Sequence, residues 1–312
     1  MSNTNNNYTI QRLSQDRLND LYTLYKTVYG HQQAPGYFEK KYNTAYTGAV
    51  YIGYIAYSDG LPVAYYGVIP CYIEYNNVVV LAAQSGDTMT HPDHQKKGLF
   101  VQLAQQTYEL CKSSGIQLVY GFPNQNSHRG LIKLGWTFTE NLDRFLIPMK
   151  TTAVERIAMK IIRKGRIYKD TIQRVLKDYI LQEPGLSNRV TNEGFAGVHR
   201  NEAYLQYKQY TGSMVIQAGN AKAWIKIKQG FLIGDLHVQP NDFDNTMDAL
   251  LQIARELAVP SLTFQVSPGT TLHSLFATKY KPVLSFPAGV LNISSDIPVE
   301  RLKFTYADID IF

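Results

Sequence analysis

Cysteine is scarce in this chain. Cys71 and Cys111 are the two present among 312 residues, and neither has a CxxC partner, which excludes a disulfide framework and a cysteine-rich zinc site. Both read as small core residues. Long apolar runs are also missing, none approaching the ~18–20 residues of a membrane span. The opening stretch MSNTNNNYTI lacks the basic and apolar parts of a signal peptide, so a cytoplasmic protein without a transmembrane segment is expected. Charge of one sign does not dominate: 31 Lys plus Arg stand against 25 Asp plus Glu, a balance of +6. That excess suits an anionic ligand without calling for nucleic acid. Disorder is excluded by an apolar content of 45% with 18% charged residues.

Tyrosine is abundant, with 23 in all and 14 of them between Tyr8 and Tyr75. Two readings stand side by side: residues of a strand-rich region, or the wall of a cleft for small polar molecules, where a flat apolar body with a polar tip is useful. The length fits two domains at roughly 100–200 residues each.

Tyr8 to Arg12 reads as a strand and Leu13 to Tyr29 as a helix with one buried face, Ser14 its expected N-cap. A short helix follows from Pro35-Gly36 toward Tyr46. Ala49 to Tyr57 and Val63 to Ile69 form a hairpin about Asp59-Gly60, and Cys71 to Tyr75 turns at Asn76-Asn77 into a strand over Val78 to Thr90. A helix over Gly98 to Ser113 carries Phe100, Leu103, Ala104, Thr107 and Cys111 on one face. Ile116 to Phe122 is a buried strand, Asn124 to Leu134 a short helix, and Trp136 to Phe138 and Arg144 to Pro148 two closing strands. The order is α/β with a mixed sheet.

Ala153 to Ile180 is basic and amphipathic: nine Lys or Arg lie between Lys150 and Lys177 against Glu155 and Asp170. It reads as a connecting helix pair with a solvated charged face, or as a helix that meets a membrane surface or nucleic acid. Beyond it, strand, helix, strand, helix, strand recurs over Trp224 to Phe286, offset by about 145 residues, with Pro268 against Pro123 and Pro240 near Pro92. The expected organisation is 1–150, a connector 151–182, and a degenerate copy over 183–312.

One loop carries chemistry. His91-Pro92-Asp93-His94-Gln95-Lys96-Lys97-Gly98 joins a strand to a helix, so the first N–H groups of that helix lack intrahelical partners and attract anions. Glycine admits close backbone approach, and Lys96 and Lys97 add two cations. Diphosphate is a natural guest. In the second copy Val238-Gln239-Pro240-Asn241-Asp242-Phe243-Asp244 has two acids and no glycine, which repels one. A single site in the first half follows.

The stretch TMTHPDHQKKGLFVQL resembles the acyl-CoA loop of the GNAT superfamily of N-acyltransferases, whose pattern is Gln or Arg, two residues, Gly, one residue, then Gly or Ala. Gln95, Gly98 and the preceding Pro92 match, while Phe100 stands where Gly or Ala is usual. Gly121-Phe122-Pro123-Asn124 and Leu134-Gly135-Trp136 resemble the family's later Asn, helix and Gly-Phe sequence. The resemblance spans residues 8 to 148 by element order and is sharpest over 84 to 138. Tandem members of the family carry a second GNAT-like half, similar to the repeat here, so two GNAT-like α/β domains are implied.

The resemblance implies acetyl-CoA as co-substrate, no metal, and direct transfer to an amine in a ternary complex. It puts the thioester against main-chain groups near Met89 and Thr90, the diphosphate on Gln95, Lys96, Lys97, Gly98, Leu99 and Phe100, and Asn124 and Ser127 beside the cofactor. Many relatives carry a tyrosine acid four residues before the Gly of the Gly-Phe pair; here it is Leu131. Where some place a glutamate base, this chain has Gln84. Asp87 is the first candidate base, since a carboxylate in an apolar strand is costly unless paired or used, with a salt-bridged aspartate as the alternative. His128 and His91 are the other candidates. His91 and His94 have H-x-x-H spacing, which in this loop reads as solvated side chains ahead of metal ligands. Phe312 ends an apolar tail able to dock.

The expected activity is acetylation of a small-molecule primary amine, an amino sugar among the candidates, with no nucleic-acid partner. A peptide or protein amine as acceptor, a tRNA-dependent aminoacyl transferase and a non-catalytic GNAT-fold binding protein remain open at this point.

Overall fold

The structure is a computed structural model that describes residues 8–149, 166–228 and 230–312. Its compact units are not contiguous in sequence. One takes the chain up to Thr139 and returns for Pro287–Arg301; the other is built from Glu140–Phe286 and Leu302–Phe312.

In the first unit, β1 (Thr9–Arg12) leads through a 3-10 turn to α1 (Leu18–Tyr29), then α2 (Tyr37–Lys41). Ser14 precedes the turn without capping it; its hydroxyl accepts from Arg17 instead, at 2.9 Å. The strands β2 (Ile52–Ser58), β3 (Leu61–Tyr75) and β4 (Val78–Thr90) form an antiparallel meander with β1 at its edge. Both hairpins turn on pairs with positive φ, Asp59-Gly60 and Asn76-Asn77, the conformation that two-residue turns between right-twisted strands require. After the loop comes α3 (Leu99–Ser113), which buries Leu99, Leu103, Ala104, Thr107 and Cys111 along one stripe against the sheet. Burial pushes the Cys111 thiol up to about 12, so it is an inert core group. The strand β5 (Leu118–Gly121) lies parallel to β4, and α4 (Gln125–Lys133) follows it.

The sequence reading of Trp136–Phe138 and Arg144–Pro148 as two strands is replaced by one, β6 (Thr137–Pro148). Its Asp143–Pro148 pairs antiparallel with Ser261–Val266 in the second unit's sheet. Conversely, Gly289–Asn292 near the end of the chain pairs antiparallel with Leu118–Gly121 in the first. Each unit therefore receives its closing strand from the opposite half of the sequence.

Residues 151–165 of the basic segment lie outside the described residues. The helix α5 (Arg166–Leu176) belongs to the second unit, where Leu176 is buried and Ile172, Val175 and Tyr179 pack on the core. Then come the short β7 (Gly197–Val198), α6 (Glu202–Lys208), the antiparallel β8 (Met214–Ala218), β9 (Ala221–Ile227) and β10 (Phe231–His237), α7 (Phe243–Glu256), β11 (Ser261–Val266) parallel to β10, α8 (Thr271–Ala277) and β12 (Val283–Asn292). The pairing pattern repeats that of the first unit: an antiparallel meander, one parallel step, one antiparallel closing strand. The end of the chain is fastened to β10 and β11. Thr305 bridges Val266, and the Phe312 ring sits on Gly234, where any Cβ would overlap it. No helix among the described residues is long and apolar enough to cross a membrane.

Candidate active site

The first unit's sheet opens where β4 and β5 part. Parallel pairing runs from Ala82 opposite Leu118 to Gln84 opposite Tyr120, and among the described residues it goes no further. Three residues beyond Gln84, a bulge places Asp87 and Thr88 opposite the single residue Tyr66, with Asp87 at φ 53°. Bulges bend and twist a strand. The gap holds a cavity of about 110 Å³ lined by Ser85 and Thr88 of β4, Gly121 and Phe122 at the end of β5, Phe100 of α3, and Asn124, Ser127 and Leu131 around α4. Gly121 keeps it open, since a Cβ there would stand 3.2 Å from Ser85 Cβ.

The loop delivers α3 to the same cavity. His91 to His94 make a 3-10 turn in which His91 Nδ1 accepts from the Asp93 amide at 3.2 Å and His94 Nδ1 meets the Tyr8 hydroxyl at 3.0 Å. Each imidazole thus has its Nδ1 engaged, His91 within the turn and His94 with Tyr8, and their rings are edge-on at 5.5 Å. Partial burial, with Lys97 second, lowers the His94 pKa. Gln95, Lys96 and Lys97 are exposed. Lys96 and Gly98 both have positive φ, 61° and 82°, and no side chain caps the helix at Gly98. The amides at this end of a 15-residue helix form a site for a negatively charged group, and the lysines favour the same charge. Leu99 turns its side chain into the core, so only its backbone serves the site. Met89 is buried opposite Tyr65, and Thr90 pairs with Ala64.

Phe100 is the departure from the family pattern, and the structure accommodates it. Its ring packs edge-on to Tyr66 at 5.6 Å and against Gly130 of α4, where a Cβ would lie 2.6 Å from the ring. A glycine on α4 supplies the room lost on α3. Asn124 caps α4, its Oδ1 accepting from the amides of Asn126 at 2.9 Å and Ser127 at 3.2 Å. These residues fit a ligand with an anionic end and a slender uncharged arm.

The candidate bases are dispersed. Asp87 accepts from Lys41 Nζ at 2.7 Å and from the Tyr42 hydroxyl at 2.9 Å; the Lys41 side chain is fully buried and that of Asp87 is 13% exposed. His128 packs against Phe138 with ring centres 4.1 Å apart and the ring planes tilted by 33°. The structure brings together Phe100, Asn124 and Ser127 at the cavity; none of the three candidate bases, Asp87, His91 and His128, lines it, although Thr88 next to Asp87 does. Sequence reasoning missed Tyr66, Ser85 and Tyr108, which join Trp136 in one hydrogen-bonded chain. The one available signal was the excess of tyrosine, and it does not single out Tyr66 from the 14 that run from Tyr8 to Tyr75.

Residues 9–139 match the acetyltransferase (GNAT) domain family. No curated protein is similar enough in sequence to match. Among solved structures, a GCN5-related N-acetyltransferase from Kribbella flavida is 12% identical with a TM-score of 0.57, covering 92% of this chain and 72% of its own. Another from Anabaena variabilis is 12% identical with a TM-score of 0.55, covering 92% and 73%. A candidate acetyltransferase from Pyrococcus horikoshii is 13% identical with a TM-score of 0.57, covering 97% and 95%. At this identity the likeness is one of fold, and it takes in both units, as two GNAT-like domains require. Residues 9–139, which hold the loop, the bulge and the cavity, are the part of the chain that matches the GNAT acetyltransferase domain.

Proposed function

We propose that this protein transfers an acetyl group from acetyl-CoA to a primary amine of a small molecule, with amino sugars the first acceptor class to test. The observation that supports this best is the meeting, in one unit, of an uncapped glycine-led helix end beside two lysines with a narrow cavity at the parting of β4 and β5. Acetyl-CoA bound there supplies an acetyl thioester and a thiolate leaving group. The α3 amides with Lys96 and Lys97 hold the diphosphate; the unpaired edge of β4 around Met89 and Thr90 takes the pantetheine arm as an added strand; Asn124 and Ser127 flank it.

An amine attacks only when neutral, so a proton acceptor is needed. We assign it to Asp87 ahead of His128 and His91, because Asp87 shares its bulge with Thr88, which lines the cavity, whereas His91 is engaged in its turn and His128 packs against Phe138. Lys41 and Tyr42 hold the carboxylate in place. The test is direct: acetyl-CoA raises the melting temperature, and a screen of amines scored by free thiol finds a substrate. No shift with any acyl-CoA overturns the reading.

A further inference from the structure

Leu131 lines the cavity and carries no proton, yet acyl transfer from a thioester leaves negative charge on sulfur. The chain of four side chains beside it answers this need. Trp136 Nε1 lies 2.9 Å from the Tyr108 oxygen, Tyr108 2.8 Å from the Tyr66 oxygen, and Tyr66 3.0 Å from Ser85 Oγ. An indole N–H only donates, so one end of the chain is fixed. With Tyr108 accepting from Trp136, it donates to Tyr66, and Tyr66 donates to Ser85. Each phenol then makes one bond of each kind, and the Ser85 proton is left for the cavity. The opposite order sends the Ser85 proton to Tyr66 and presents no donor. Hydroxyl protons reorient without movement of heavy atoms, so an acceptor arriving beside Ser85 selects the first order. Both phenols stay protonated: burial raises Tyr66 well above its usual range and pushes Tyr108 up to about 12.

We propose that Ser85 is the hydrogen-bond donor to the thiolate sulfur of coenzyme A, with Tyr66 and Tyr108 as positioning residues behind it. This rests on the acetyl-CoA reading above. In the balanced step a C–N bond forms, the C–S bond breaks, and its electron pair leaves on sulfur. The amine gives its proton to the base, the thiolate later takes one from water, and Ser85 keeps its own. The other polar side chains of the cavity are otherwise engaged: Asn124 caps α4, the Ser127 hydroxyl turns back to Asn124, and Trp136 donates to Tyr108. Thr88 is the remaining hydroxyl on the lining and serves as the control.

The experiment compares, by calorimetry above neutral pH, the affinities of coenzyme A and of its desulfo analogue. Wild type is expected to prefer coenzyme A by about tenfold, the 1.4 kcal/mol of one charge-assisted hydrogen bond, and more strongly as the pH rises and the thiol ionises. Ser85→Ala removes the preference, Tyr66→Phe keeps part of it, and Thr88→Val keeps it all. Once an acceptor amine is found, Ser85→Ala lowers kcat by about 10²-fold with KM for acetyl-CoA unchanged. A ratio of affinities that Ser85→Ala leaves intact, or a wild type that binds both compounds equally, overturns the assignment of Ser85 alone. A wild type that binds neither overturns the acetyl-CoA reading itself.

Discussion

Asp87 and Asp235 stand in the central strands of the two units, five residues before Pro92 and Pro240 respectively, each at a bulge and each beside a buried cation, Lys41 or Arg200. Their surroundings differ. The Asp235 side chain is 2% exposed and shares Arg200 with Asp308, whose Oδ1 accepts from the guanidinium at 3.0 and 2.8 Å, while Thr305 accepts from it at 2.7 Å. Residues 302–312 thus seal the end of β10. The loops differ in the same sense. Both units make a 3-10 turn, Pro92–His94 and Pro240–Asp242, but α7 starts directly at Phe243, whereas Gln95–Gly98 intervene before α3. In the second unit Arg189 donates to the Val238 carbonyl at 3.2 Å and Glu193 accepts from the Thr271 amide at 2.8 Å, so groups open to a ligand in the first unit are satisfied by the chain in the second. On the proposed reading, one scaffold supports a site or a structural clamp according to which groups the chain itself satisfies at the strand ends.

The largest effect expected from breaking this comparison is at Arg200. Its removal leaves Asp235 and Asp308 buried without a counter-charge, which costs about 3–5 kcal/mol. Arg200→Met should lower the urea midpoint accordingly, while the protein that remains folded still gains stability from acetyl-CoA. Loss of the ligand response together with stability would contradict a purely structural clamp. Next comes Gly98→Glu. It forces a side chain onto a residue at φ 82° and places a carboxylate at the helix end, as the second copy does with Asp242 and Asp244. Acetyl-CoA affinity should fall about 10²-fold or more, from ~1–3 kcal/mol of backbone strain plus the inverted charge. Asn241→Glu in the second copy should change it by less than about twofold, within the usual reach of a surface substitution.

Lys41→Met sharpens the pair from the other side. Asp87 would keep the Tyr42 hydroxyl and its partial exposure, so the expected stability loss is smaller, about 1–3 kcal/mol. If Asp87 is the base, loss of the ammonium that holds its carboxylate also lowers kcat; a kcat that stays put while stability falls would leave the pair a structural one.

The local elements were legible because turn chemistry and periodicity are local: Asp59-Gly60, Asn76-Asn77 and the stripe from Leu99 to Cys111 follow from residue types alone. Long-range pairing was not. Trp136–Phe138 and Arg144–Pro148 each have strand character, but nothing local says that Asn141 and Leu142 between them stay extended, or that Ser261–Val266 is their partner. The strand Met214–Ala218 went unread, its five residues offering too little pattern. Gly98 and Asn124 could be read as the heads of their helices because backbone position and capping are local. Ser85 and Tyr66 could not be placed, because a hydroxyl chain depends on which residues meet across β3, β4 and α3.

The smallest expected effect concerns Lys96 and Lys97, and it tests whether charge or backbone distinguishes the two loops. Both side chains are exposed, so each contributes only about 0.3–1 kcal/mol to holding an anion at the helix end, and that contribution is screened by salt. The double variant Lys96→Ala, Lys97→Ala should weaken acetyl-CoA binding severalfold at low ionic strength and by little near 0.5 M salt, where the Debye length is only a few ångströms. The backbone amides at Gly98 and Leu99 act at hydrogen-bond distance and should hold the remaining affinity at every salt concentration. A double variant that loses all binding even at high salt would mean that the lysines set the loop's conformation, Lys96 through its positive φ, and that the difference between the units is one of shape before it is one of charge.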